Sequence, residues 1–241
     1  MNCIKNKQLF VAQNMNDLDL RGQSLRDEEA RLIGIALANS PLHKLDLENN
    51  QISDEGAKSI GTALKTNFTL QHLDLRSNQI SNEGAKEIAN GLKDNPTLQK
   101  LYLNDNLIGD EGAESIGNAL ETNSALQILY LYNNQIRDGG VEALAIALLN
   151  NSTLLQLSLY KNKIGDAGAI AIGNVLRGNS TLQMLWLQNN QISDVGAKAI
   201  GDVLQTNFTL QKLNLQDNNI TESSKQLITT NWKKRTNYLR L

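Results

Sequence analysis

The chain has 241 residues, 40% hydrophobic, 20% charged and only 4% aromatic, with a formal net charge of −2. That balance excludes the basic stripe on which nucleic-acid binders depend, so no nucleic-acid partner is expected. A lone cysteine, Cys3, excludes an intrachain disulfide and a cysteine-built zinc site, and it fits a reducing compartment such as the cytoplasm.

The first residues, 1–14, read as an N-terminal cap. Their longest apolar run, Leu9 to Ala12, is shorter than the ~7 to 15 residues of a secretory core segment. Elsewhere the longest apolar run, residues 143–149, falls far short of the roughly 20 residues that span a bilayer. No membrane span is expected.

A first unit, Met15 to Pro41, carries Gln23 and Glu29 where later units have Asn and Gly. From Leu42 the pattern LxxLxLxxNxI followed by a helical run returns every 28 residues, at Leu42, Leu70, Leu98, Leu126, Leu154, Leu182 and Leu210. Such self-similarity marks a solenoid, because one unit cannot bury its apolar face alone. Within the unit, Leu45 and Leu47 alternate with polar neighbours, the period-two pattern of a short strand with one buried face. Asn50 and its equivalents Asn78, Asn106, Asn134, Asn162, Asn190 and Asn218 suit a buried amide ladder tying successive turns to backbone groups.

After each ladder residue comes Asp54 or an equivalent (Asn82, Asp110, Asp138, Asp166, Asp194), expected as the N-cap of its own helix. Ala57, Ile60, Gly61 and Leu64 then form one apolar stripe. Gly61, Gly117, Gly173 and Gly201 should let neighbouring helices approach closely. Phe68 and Phe208, in the TNFT segments, are expected to staple the return from helix to strand. Residues 221–241 should form a C-terminal capping helix and tail, with Trp232 at the helix position of Leu64 covering the end of the core, and Lys233, Lys234 and Arg235 complementing the helix dipole. The chain is therefore expected to be a single α/β domain, with eight units of 27 or 28 residues over 15–220, the last partial.

The string LQxLxLxxNxIxDEGAxxIGxALxxNxT resembles the leucine-rich repeats of the ribonuclease-inhibitor-like subfamily, also found in NOD-like receptors and in some effectors of intracellular bacteria. The resemblance implies a right-handed horseshoe solenoid with parallel strands on the concave face and helices on the convex face. It also implies protein binding rather than catalysis.

In LxxLxLxxNxI the third, fifth and seventh positions point away from the helices. The fifth column contains Tyr102, Tyr130 and Trp186, and the seventh Tyr132 and Tyr160, so four of five tyrosines and one of two tryptophans fall on one face. Ile128 and Met184, in the third column, extend the patch. Contiguous Tyr and Trp are typical of protein-binding hot spots, so these seven residues are the expected anchors. Asp19, Asp46 and Asp74 form a carboxylate column beside Arg21, Lys44, Arg76 and Lys100, which suits orienting a partner better than binding metal or catalysing. His43 and His72, the only histidines, are expected at the surface.

The reading is a non-catalytic, monomeric interaction scaffold with a protein partner and neither cofactor nor metal. It acts in the cytoplasm or, as a secreted bacterial effector, in host cytosol. An alternative is a regulator of a small GTPase, for which Arg21, Arg76 or Asn104 would serve.

Overall fold

A computed structural model describes residues 16–232 and 238–241. Three-residue strands alternate with helices throughout: β1 (Asp17–Asp19), α1 (Asp27–Leu37), β2 (Lys44–Asp46), α2 (Asp54–Leu64), β3 (His72–Asp74), α3 (Asn82–Leu92), β4 (Lys100–Tyr102), α4 (Asp110–Leu120) and β5 (Ile128–Tyr130). The alternation continues with α5 (Asp138–Leu148), β6 (Gln156–Ser158), α6 (Asp166–Leu176), β7 (Met184–Trp186), α7 (Asp194–Val203), β8 (Lys212–Asn214), α8 (Glu222–Trp232) and β9 (Tyr238–Arg240). All strands pair parallel in sequence order in one unclosed sheet, with the fifth-position residues in register from Asp19 to Arg240. Packed helices need about 8–10 Å each and parallel strands only about 4.8 Å, so the right-handed coil bends with the sheet on its inner side.

The apolar core lies between sheet and helices. Leu45, Leu47, Ile52, Ile60 and Leu64 of one unit, like their counterparts in the central units, are buried to within a few per cent. Trp232 joins the same cluster, and Leu239 and Leu241 pack against it.

Three polar ladders run through the stack. In the first, Asn50 Nδ2 donates to the Leu20 and Leu47 carbonyls while its Oδ1 accepts from Leu25 N–H, so the amide bridges two rungs. Asn106, Asn134 and Asn162 repeat this arrangement.

The second ladder corrects the sequence reading of Asp54. The N-cap of α2 is Ser53, and Asp54 is the first helical residue. Its carboxylate caps the next unit instead, accepting from Ser81 N–H at 2.7 Å, Ser81 Oγ at 2.6 Å and Gly84 N–H at 2.9 Å. Asp27, Asn82, Asp110, Asp138 and Asp166 do the same one rung on. A carboxylate in a first helical turn cannot reach back to its own N–H groups as an N-cap side chain does, but the parallel helix beside it presents its open N-terminus at the right height. Thr221 receives the equivalent cap from Asp194.

The third ladder was not foreseen. Asn67 Nδ2 donates to the Leu37 carbonyl of the preceding unit and Oδ1 accepts from Leu70 N–H; Asn95, Asn123, Asn151, Asn179 and Asn207 repeat the pattern. Its sequence signal was an Asn every 28 residues in the helix-to-strand return.

A Cβ at Gly61 would fall against the Glu87 carbonyl oxygen of α3, and one at Gly173 would lie 2.9 Å from the Ala199 oxygen of α7, which explains glycine there despite a propensity cost of about 1 kcal/mol. Phe68 and Phe208, expected as staples, are instead 54% and 63% exposed, because the Asn67-type amides already fix the return. Strand β9 was not anticipated either. Leu239 pairs with Leu213 after 26 residues rather than 28, which took it out of the repeat pattern. The expected N-terminal cap over 1–14, with Cys3, and the expected dipole partners Lys233, Lys234 and Arg235 lie outside the described residues.

Candidate protein-binding face

The strand alternation that sends Leu101, Leu129, Leu157 and Leu185 into the core turns their neighbours onto the inner face of the arc. All five expected aromatic anchors come together there. Tyr102 stacks on Tyr130 with ring centroids 4.9 Å apart, and Tyr132 stacks on Tyr160 at 4.2 Å. Tyr130 joins the two columns, lying 6.2 Å from Tyr132 and meeting Trp186 edge-on at 5.9 Å. Each such pair contributes about 0.5–1.5 kcal/mol beyond area burial.

The last contact is informative, because Tyr130 and Trp186 are two rungs apart, roughly 9.6 Å along the sheet. Between them in register stands Ser158, whose small side chain is 3% exposed. The rings lean together over the serine, and Tyr130 Oη donates to Gln156 Oε1 at 3.3 Å. All five rings are half-buried. Burial raises the phenol pKa of Tyr102, Tyr130 and Tyr160 and pushes Tyr132 up to about 12, with Tyr160 adding to the last shift, so these hydroxyls stay protonated. Ile128 and Met184 flank the rings, both half-buried.

The carboxylate column takes a different form. Asp19 is exposed and held by Arg21, whose hydrogen bonds bring its pKa down to about 2. Asp46 and Asp74 are only 2% and 1% exposed, sunk beneath the cations that pair with them. Arg21 and Lys44 each approach Asp46 to 3.6 Å, while Arg76 pairs with Asp74 at 2.6 Å and Glu48 at 3.4 Å. Burial raises the pKa of Asp74 despite Arg76 beside it. Two of the three acids are thus covered by the arginines and lysine above them. Asp46, Glu48 and Asp74 each bring an oxygen into one small group, but the three cations already occupy and neutralise it.

Sequence reasoning missed how the two halves are joined. The Arg76 guanidinium lies 5.6 Å above the Tyr102 ring, so the side chain that neutralises Asp74 also covers the first aromatic rung. His72, expected at the surface, is half-buried edge-on to Tyr102 at 4.8 Å, with Nε2 buried. Burial, with Lys44 and Lys100 nearby, brings its pKa down to about 4. His43 is exposed as expected. Of the residues offered for a nucleotide phosphate, Asn104 is buried, while Arg21 and Arg76 are paired with Asp19 and Asp74 and Arg21 stays half exposed. No helix among the described residues is long and apolar enough to cross a membrane.

The family model described as Leucine Rich repeat matches residues 38–61, 66–89, 94–117, 122–145, 150–173, 178–201 and 206–223. Among solved structures, an internalin C2 from Listeria monocytogenes is 26% identical with a TM-score of 0.62, the match covering 96% of this chain and 83% of that one. The leiomodin-1 actin-binding site 2 chain is 26% identical with a TM-score of 0.54, covering 63% of this chain and 87% of its own. Among curated proteins no sequence matches.

Proposed function

Because the chain belongs to the leucine-rich repeat family and its inner face gathers five aromatic side chains into one patch, we propose that it is a non-catalytic scaffold whose concave sheet binds a protein partner. The observation that carries the reading is the unbroken contact chain from Tyr102 through Tyr130 to Trp186, because contiguous, half-exposed rings on rigid strands lose little entropy on binding. Asp19, Asp46 and Asp74 serve by holding Arg21, Lys44 and Arg76 in place on the adjoining rungs, Arg76 reaching the first ring. The uniform 28-residue unit with a full helix supports a ribonuclease-inhibitor-like type of repeat. The lone Cys3 supports action in a reducing cytosol, the cell's own or a host's.

The likeness to a chain named for an actin-binding site makes actin the first partner to test by co-sedimentation. Proteins retained by the wild type and by the convex-face variant Lys58→Ala should be lost, at least about tenfold, from Tyr130→Ala/Trp186→Ala. Retention unchanged in that double variant refutes the face, and turnover of a substrate by the purified chain refutes a non-catalytic role.

A further inference from the structure

The aromatic half of the inner face is electrostatically unfinished. On β1 to β3 the third, fifth and seventh columns set Asp17, Asp19, Asp46, Glu48 and Asp74 against Arg21, Lys44 and Arg76, and each of those cations has a carboxylate within 4.0 Å. From β4 to β9 the same columns hold Lys100, Lys212 and Arg240 and no acidic residue. Among the described residues none of the three pairs with a carboxylate. Arg240 lies over the Tyr238 ring instead. Asp105 and Asp217, one column further on, accept from the neutral amides of Asn104, Asn133 and Asn189, and with Lys161 in that column these rungs set four cationic residues against two acidic ones.

The placement of the two lysines matters as much as their number. Lys100, Ile128, Gln156, Met184 and Lys212 stand in register along the third column, so the lysines bracket the apolar positions at four rungs, about 19 Å apart. Tyr130 and Trp186 run alongside in the fifth column. An occupant that completes this surface carries bulky apolar side chains in its middle and negative charge at both ends.

Resting on the protein-binding reading above, we propose that the segment received here is an acidic peptide. Its apolar side chains seat on Ile128, Tyr130, Met184 and Trp186, and its flanking carboxylates reach Lys100 and Lys212. An extended chain, at about 3.3 Å per residue, covers the distance between the lysines in about six residues. A single-stranded nucleic acid is disfavoured, because β1 to β3 on the same face set five acidic residues against three cations, an excess that a polyphosphate running on along the face would meet.

The probes are fluorescein-labelled peptides with one Leu/Trp core between glutamate blocks, between glutamine blocks or between lysine blocks, together with a short labelled oligothymidine, read by anisotropy. The glutamate peptide should bind at least about tenfold tighter than the glutamine peptide and weaken steeply by about 0.3 M salt. Lys100→Glu/Lys212→Glu, with an unchanged melting profile, should reverse the order so that the lysine peptide binds best. Tyr130→Ala/Trp186→Ala should weaken every peptide whatever its charge.

Equal affinity for the three peptides, an order that survives the charge reversal, tighter binding of oligothymidine, or no binding of the glutamate peptide each overturn the inference. Charge-blind binding that still falls in the aromatic variant removes the acidic partner and leaves the face standing. Partner capture untouched by the aromatic variant removes both.

Discussion

At Lys161 the backbone takes φ 53°, a left-handed conformation that an ordinary side chain opposes, and the equivalent places in the other units after the first hold Asn49, Asn133 and Asn189, Asp105 and Asp217, or Ser77. Asn and Asp tolerate it because their short polar groups bond locally, whereas Lys has no such compensation. Lys161→Asn should therefore gain about 0.5–1 kcal/mol in urea unfolding, and a loss of stability would show that the lysine does something the backbone does not reveal. His72 makes a second prediction at this scale. Its folded pKa is depressed to about 4 by burial, with Lys44, Lys100 and Arg76 adding to the shift and Asp46 opposing it, whereas an unfolded histidine titrates near 6.5. Between those values the unfolded chain binds more protons, so the contribution is complete above about pH 6.5 and is lost as pH falls towards about 4. Asp74 works in the opposite sense, since its raised pKa favours the fold at low pH and that advantage is lost as pH rises through the folded value. The difference between wild type and His72→Asn isolates the imidazole. It should shift against the wild type by on the order of 1–2 kcal/mol from about pH 7 to pH 4, after allowing for solvent screening. A flat difference would place the ring in water.

Each helix from α2 to α8 is capped from the helix beside it, whereas α1 is closed by its own Glu29, which accepts from Arg26 N–H. Asp54→Ala should cost about 2 kcal/mol by leaving Ser81 and Gly84 N–H groups of α3 without their acceptor, while Glu55→Ala, an exposed acid in the same first turn, should stay within about 0.5 kcal/mol. Equal costs would mean that only the dipole of α2 is served. The two explanations look alike in the sequence, because an Asp at the start of a helix satisfies both. For the same reason the Asn50 ladder was legible, being an Asn that ends a strand, and the Asn67 ladder was not, since an Asn in a return reads as ordinary turn chemistry. The inward leucines and the apolar helix stripe followed directly from spacing, as at Leu45, Leu64 and Leu129, whereas the helix start lies one residue from where Asp54 as N-cap would put it. Strand β9 did not, because Leu239 breaks the repeat interval.

Over the whole molecule, stability is shared between nearest neighbours, since each ladder side chain ties its rung to the one beside it. Leu129→Ala, which opens a cavity between two central rungs, should cost about 2–5 kcal/mol. Amide hydrogen exchange should be slowest across β4 to β6 and quicken towards both β1 and β9, and uniform protection to the end strands would contradict a nearest-neighbour array. The columns of the inner face were readable at this scale from periodicity, but its internal arrangement was not. The tilt of Tyr130 and Trp186 over Ser158 and the reach of Arg76 across Tyr102 depend on rotamers, and a repeat pattern assigns a side chain to a face without fixing its rotamer.

The cross-rung caps also make the chain modular in a chemical sense. Asp54 asks of its successor only two amide N–H groups and a hydroxyl, and Asn82, meeting Gly109 and Gly112, asks for even less. A whole 28-residue cassette could therefore be duplicated or excised between β2 and β4 with every junction finding an equivalent bonding partner. Such an edit would move the charged rungs nearer to or farther from the tyrosines in single-rung steps, changing the charge beside the rings without rewriting how the chain folds.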